Sequence, residues 1–336
     1  MAALSIIHPT LLDLQKGLDP DGKVASVIEI LRQDNEVLDD MVWLEANGVD
    51  KHVTTIRTGL PEPTWRKLYG GVQPAKSRKA RIADTVGSLE AYAEVDKALV
   101  EMNGNTAAFR ASEDMGHIQG MNHELAASLF YANEATAPEE ITGFAPRYST
   151  RSGTEYAENI ILEGGTAPDN TDNTSIWLVG WGANTCHGIY AKGTEAGLQI
   201  TDKGQVTIEN VDGSGGRMEA YRTHYKWNVG LTVRDWRYVV RIQINSEDLT
   251  KAAASGADLI DLMTQASETV PTKNAKFAFY MNKRVKSFLR RQIMNKTVNS
   301  TLTMDSVAGK PVMSFDGIPV RRCDAILNNE AGIVAS

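Results

Sequence analysis

His52-Val53-Thr54-Thr55-Ile56-Arg57-Thr58 is rich in β-branched residues and reads as a strand. Pro61, Pro63 and Pro74 follow, with Tyr69-Gly70-Gly71-Val72 between the last two. A second extended stretch returns through Ile82, Thr85 and Val86. Residues 49–90 are poor in large core side chains. Between residues 50 and 86 the basic residues are Lys51, Arg57, Arg66, Lys67, Lys76, Arg78, Lys79 and Arg81, against the acids Asp50, Glu62 and Asp84, a local balance of +5. The pattern predicts a two-stranded flap with its tip near Gly70-Gly71. Arms of roughly 15 residues would extend about 50 Å at about 3.3 Å per residue. A compact chain of this length has a radius of gyration of only roughly 20 Å, so the flap would project from the body. An isolated hairpin is marginal in water and needs another surface to lie on. A disordered basic loop is the alternative.

The rest of the composition narrows the class. The chain has 336 residues, 42% of them hydrophobic, and a net charge of −7. An acidic balance argues against a protein whose main task is neutralising phosphates. No apolar run reaches the length of a membrane span. The longest window free of Asp, Glu, Lys and Arg, Asn173 to Ala191, is polar enough to read as strand and loop. The N-terminal residues lack the basic start and long apolar run of a signal peptide, so a soluble intracellular chain is expected. Cys186 and Cys323 read as two free thiols.

Sites of chemistry are not evident. Gly309-Lys310 resembles the end of a phosphate-binding loop, but Met304 stands where its first glycine should be. Gly213-Ser214-Gly215-Gly216 reads as a flexible loop. His123-Glu124 begins like a zinc-protease helix, yet Ala127 replaces the second histidine. His117 and His123, six apart, fall on different helix faces. Cys186-His187 are adjacent in sequence, which does not make a working pair. Asp169-Asn170-Thr171-Asp172-Asn173 lacks the glycine and distal glutamate of a calcium loop. No catalytic residue, cofactor site or metal site is assigned.

Regular elements surround the flap. Lys23–Arg32 reads as a helix after the turn Asp19-Pro20-Asp21-Gly22. Glu94 to Met102 reads as a second helix, broken by Asn103-Gly104-Asn105. A helix of about 39 Å is expected from Thr106 to Tyr131, with Ala111, Met115, Ile118, Met121, Leu125 and Leu129 as one apolar stripe packed in the core. From 145 to 245 the chain is β-rich. Strands are expected at Ser175–Gly182, Gln205–Val211 and Trp236–Ile244, and Trp177, Trp181, Trp227 and Trp236 anchor a core or, alternatively, form a sugar platform. A helix near Ala257–Thr269 and a strand at Lys276–Met281 follow. Asn282 then caps a helix to Asn295, whose side bearing Lys283, Arg284, Lys286, Arg290 and Arg291 is either a solvated face or a contact with a subunit or acidic partner. Two short strands meet at Asp316-Gly317.

The order of these parts resembles tailed-bacteriophage major capsid proteins of the Hong Kong 97-like fold, and among them those of short-tailed phages. Three stretches carry the resemblance: Ser5-Ile6-Ile7-His8-Pro9-Thr10-Leu11-Leu12-Asp13 with Leu38-Asp39-Asp40-Met41-Val42-Trp43; Asn103-Gly104-Asn105-Thr106-Ala107-Ala108-Phe109-Arg110; and Tyr280-Met281-Asn282-Lys283 with Phe315-Asp316-Gly317-Ile318-Pro319-Val320. The resemblance implies an α+β fold. Its parts would be an N-terminal arm and helix (1–48), an extended β-hairpin loop (49–90), a peripheral domain with spine helix 106–131 (91–165), an axial domain (166–300) and closing strands (301–336). It implies a homo-oligomer of pentamers and hexamers that forms an icosahedral virion head, assembled in the host bacterial cytoplasm. That head would enclose double-stranded DNA without reading its sequence. It also implies a separate scaffolding protein, a portal protein and a cement or decoration protein as partners, and no membrane. Inter-subunit contacts are then expected from Lys51, Arg57, Trp65, Arg66, Lys67, Tyr69, Lys76, Arg78, Lys79 and Arg81, with the basic helix as a further contact. A bacterial encapsulin-like nanocompartment subunit, a hydrolase and a glycan-binding module are the alternatives.

Overall fold

The computed structural model describes residues 35–102, 106–163, 172–210, 215–250, 256–271, 275–295, 302–307 and 310–333. The expected helix at 23–32, the arm before it, the break at Asn103-Gly104-Asn105 and the loop residues Asp169, Asn170, Thr171, Gly213 and Ser214 lie outside them. In chain order the elements are α1 (Val37–Asp40), β1 (Trp43–Glu45), β2 (Lys51–Gly59), β3 (Arg78–Asp96), α2 (Lys97–Glu101), α3 (Thr106–Tyr131), α4 (Phe144–Arg147), β4 (Ile160–Leu162), β5 (Asn173–Trp181), β6 (Cys186–Tyr190), β7 (Gln199–Glu209), β8 (Arg217–Val233), β9 (Val239–Asn245), α5 (Leu259–Thr269), β10 (Lys276–Met281), α6 (Lys283–Asn295), β11 (Leu302–Val307), β12 (Lys310–Phe315) and β13 (Ile318–Arg322). Two compact units result. One combines 88–126 with 197–228; the other combines 34–87, 127–196 and 229–336.

The second unit is built around β5. All nine of its residues are buried, which explains the uncharged run that marks it in the sequence. A strand enclosed on both faces leaves no position where a charge could be hydrated. β5 pairs antiparallel with β9 on one side and β10 on the other. β13 joins β10 in parallel, and β12 and β11 follow antiparallel. Helices α5 and α6 cover this sheet, placing Leu259, Leu262, Met263, Val285 and Leu289 against Ile176, Leu178, Ile242 and Phe279. The caps are as local chemistry dictates: Asp258 accepts from Ile260 N and Asp261 N, and Asn282 Oδ1 accepts from Val285 N at 2.9 Å. Phe130, Phe144 and Tyr148 ring Trp177 with centroids about 6 Å away.

A charged group lies inside this core. Arg241 donates to Glu330 at 2.8 Å with both residues 5% exposed. Ser175 and Tyr131 also donate to the Glu330 carboxylate, and the Arg241 guanidinium lies over the Trp177 ring, 5.1 Å from its centroid. Buried charge is tolerated because every partner is supplied.

The first unit sets the helix α3 against the later half of β3 and the β7–β8 hairpin. Ala93, Met121 and Tyr225 form one small core with Leu89, Ala91 and Ile118; Val95, Leu99, Val100 and Phe109 form another. The other face of β3 is laced to β8 by polar contacts: Arg222 to Glu94 at 2.6 Å, Lys226 to Glu90 at 2.9 Å, and His224 Nε2 to the same Glu90 carboxylate at 3.0 Å.

Several expectations change. The helix expected at Glu94–Met102 is only Lys97–Glu101, because the period-two alternation of Leu89, Ala91, Ala93 and Val95 carries β3 on to Asp96. Asp96 then caps α2 by accepting from Ala98 N at 2.8 Å. The strand expected from Trp236 begins at Val239, because Asp235 caps a short turn at Trp236–Tyr238. Helix α3 has the expected bounds, but its stripe is not uniformly core: Met121, Leu125 and Leu129 are buried, whereas Ala111 and Met115 are exposed. The tryptophans do not form an exposed row, since Trp177 and Trp181 are fully buried. Cys186 and Cys323 are buried free thiols.

Candidate inter-subunit surface

The hairpin is rooted by polar clamps. β2 and β3 pair antiparallel from Lys51↔Thr85 to Gly59↔Arg78, with a register shift between Arg57 and Gly59. Asp84, 3% exposed, receives Arg147 Nη2 at 2.7 Å, and the same guanidinium donates to Leu231 O and Thr142 O. Thr85 Oγ1 donates to Glu134 at 3.1 Å. On the other arm, the Asn47 amide bonds both the N–H and the C=O of Val53, at 2.8 and 2.6 Å. Gly230 lets β8 approach β3 at the root: a Cβ there would stand 2.5 Å from Thr85 O.

Beyond Gly59 the regular pairing stops. Residues 60–77 form no strand, which shortens the two-stranded part well below the expected arms. Pro61, Pro63 and Pro74 cannot donate to a ladder, and each forces its predecessor into extended geometry. Order returns at the tip, where Gly70 N donates to Lys67 O at 3.0 Å and Arg66 Nε to Gly70 O at 2.9 Å. Tyr69 adopts a positive φ of 61° to close this turn. All ten candidate residues, Lys51, Arg57, Trp65, Arg66, Lys67, Tyr69, Lys76, Arg78, Lys79 and Arg81, are exposed. So are Leu60, Leu68 and Val72, large apolar side chains that a reading centred on charge passes over. Trp65 and Tyr69 are fully exposed, at 105% and 102%.

The basic helix α6 divides in two. Lys283, Arg290 and Arg291 are exposed, and Arg291 stacks over Phe288. Arg284 is tied down by donating to Ser246 O at 3.1 Å. Lys286 is half-buried and donates to Val320 O at 3.1 Å; burial lowers its pKa. Lys286 is therefore structural in this chain, and the outward charge of α6 comes from the others.

Among the described residues no group of three or more His, Cys, Asp and Glu is placed to hold a metal, and no helix is long and apolar enough to cross a membrane. Cys186 and His187 do not form a nucleophilic pair: burial pushes the Cys186 thiol well above its usual range and lowers His187 to about 4.

The described residues thus present an exposed, aromatic and basic loop in a fold of mixed helix and sheet with a 26-residue helix. The family model described as major capsid protein GP7 matches residues 19–334, and the chain belongs to that family. A chain from the near-atomic structure of bacteriophage Epsilon15 is 37% identical, with a TM-score of 0.77 over 98% of this chain and 99% of that one. The capsid of a native GTA particle follows at 9% identity and a TM-score of 0.45, covering 67% and 95%. Mycobacterium phage Adephagia gives 10% identity and a TM-score of 0.44, covering 70% and 97%. No curated protein matches. The chain is thus a tailed-phage major capsid protein with a Hong Kong 97-like α+β fold, a structural component of the virion that builds an oligomeric shell.

Proposed function

We propose that the hairpin of residues 49–90 is the extended loop through which each copy grips a neighbour, so that copies close as pentamers and hexamers into an icosahedral head around double-stranded DNA. The observation that carries this reading is the complete exposure of Trp65 and Tyr69 beside Arg66 and Lys67. A Trp side chain buries 150–250 Å² when covered, so a tip that leaves two aromatics in water is completed by association. Residues 91–165 and 301–336 act as the peripheral domain and 166–300 as the axial domain. Scaffolding, portal and cement proteins are separate partners, assembly takes place in the host cytoplasm, and the subunit performs no catalysis.

The test is charge reversal at the tip. Arg66→Glu with Lys67→Glu keeps the body of the subunit folded, because neither side chain is buried, although it gives up the Arg66–Gly70 hydrogen bond at the tip; it is expected to abolish or sharply reduce heads seen by electron microscopy, with Arg66→Gln and Lys67→Gln as the control that loses charge without reversing it. Heads of normal yield from the charge-reversed variant would count against the reading.

A further inference from the structure

Residues 327–333 form no helix or strand, and they share one bridge with β5, Asn173↔Glu330. Side chains of the second unit hold them instead. The Glu330 carboxylate receives Arg241 Nη2 at 2.8 Å together with the hydroxyls of Ser175 and Tyr131. Gln243 grips the main chain with both ends of its amide: Nε2 donates to Ala331 O and Oε1 accepts from Ile333 N, each at 2.8 Å. Thr174 Oγ1 donates to Leu327 O at 2.8 Å, and Ser246 Oγ to Asn328 O at 3.0 Å. Asn282 Nδ2 donates to Asn328 Oδ1 at 2.8 Å. Thr174, Ser175, Arg241, Gln243, Ser246 and Asn282 are all buried, at 5% exposure or less.

The sheet does not use this segment to close its ladder. β5 pairs with β9 from Asn173 to Val179 and with β10 from Trp177 to Trp181 without it. What the segment supplies is partners for buried polar side chains, which are costly to leave unmet. Its outward side is open: Leu327 is 46% exposed, and Asn328, Asn329 and Ala331 are exposed too. Glu330 and Ile333 are its two buried anchors. The chain just before it is fixed, since Cys323 N donates to Met281 O at 2.9 Å and Ala325 N to Asn35 Oδ1 at 3.2 Å. Main-chain groups met by a side-chain amide, with a carboxylate met by an arginine, are the means by which proteins hold a peptide ligand. We propose that residues 327–333 are a detachable clip, and that their seat on β5 and β9 is a site for an extended peptide bearing a carboxylate, filled in this chain by its own segment. The Tyr131 hydroxyl, at the last residue of α3, also accepts from Leu327 N at 2.9 Å, so closing the clip pins the end of that helix to the sheet. The inference goes beyond the role of the hairpin and does not rest on it.

A protease recognition sequence inserted between Asn328 and Asn329, both exposed, lets the folded full chain be nicked there. The cut piece, residues 329–336, should stay with the body on gel filtration, and a fluorescent synthetic peptide of the same sequence should exchange into its place. The same peptide carrying Glu330→Ala should compete at least about tenfold less well, through loss of the charge-assisted bonds. A piece that leaves on nicking, a piece that stays but never exchanges, or equal competition by the two peptides overturns the clip. If the insertion prevents folding, the chain ending at Asn328 is refolded with and without the peptide. A native melting temperature regained only with the peptide supports the proposal; no gain from the peptide overturns it.

Discussion

The imidazole rings of His52 on β2 and His187 on β6 meet edge-on with centroids 5.9 Å apart, at the root of the hairpin. His187 is 1% exposed, and burial, followed by His52 and Arg234, lowers its pKa from 6.5 to about 4. His52 is also lowered, chiefly by burial, with Asp84 opposing and Arg234 assisting. An unfolded chain takes up a proton near pH 6.5, whereas folded His187 resists until about pH 4. Stability from this residue is therefore complete above about pH 6.5 and is lost as pH falls towards 4, by up to about 3 kcal/mol. Urea titrations of the subunit at pH 7 and pH 4.5 measure that loss. His187→Phe should shrink it; an equal loss in variant and native protein would sink the idea.

Removing one partner of the Arg241–Glu330 pair strands a charge in the core. Glu330→Ala is expected to cost about 3–5 kcal/mol, while the double change Arg241→Met with Glu330→Leu should recover most of it. Equilibrium denaturation of the two variants beside the native chain checks both statements. A Glu330→Ala variant as stable as the native chain would mean that the pair is hydrated in solution.

Gln292 on α6 is 1% exposed and serves three backbone groups: its Oε1 accepts from Leu259 N at 3.1 Å, and its Nε2 donates to Ala257 O at 2.7 Å and Thr250 O at 3.1 Å. Gln292→Leu keeps the volume and abandons all three, so a loss of about 2–3 kcal/mol is expected from orphaned buried groups. Hydrogen exchange should rise first at the start of α5. Unchanged exchange there would show that water replaces the amide.

Asp316 and Gly317 have φ of 50° and 75°, the geometry of a tight β12–β13 hairpin turn. Gly317→Ala should cost about 1 kcal/mol through backbone strain, and Asp316→Asn should be nearly neutral, because asparagine tolerates positive φ. A drop in melting temperature confined to Gly317→Ala is the expected pattern.

What could be read in the sequence was what is local. The uncharged run of β5, the Asn282 cap, the bounds of α3 and the Asp316-Gly317 turn each announce themselves within a few residues. β3 was harder, because Ala91 and Ala93 satisfy a helical as well as a strand pattern until Tyr225 is known to cover one face. Arg241 and Glu330 are 89 positions apart, so nothing near either residue signals the other. The tip was legible as a basic, proline-rich stretch, but its apolar content, Leu60, Leu68 and Val72, acquires meaning only once those side chains are seen uncovered. The stripe of α3 was misjudged for the same reason: an apolar stripe on a helix reads as interior until part of it, at Met115, proves to face water.

The three prolines of the hairpin have a consequence for manufacture. Building an oligomeric shell brings many identical copies together, each displaying a naked aromatic tip. Bare backbone beside such a tip would invite strand-by-strand stacking into fibrils. Pro61, Pro63 and Pro74 deny that route by removing donors and fixing kinks. Strand stacking at the tip is thereby disfavoured, which leaves its exposed side chains for the contacts that build a shell.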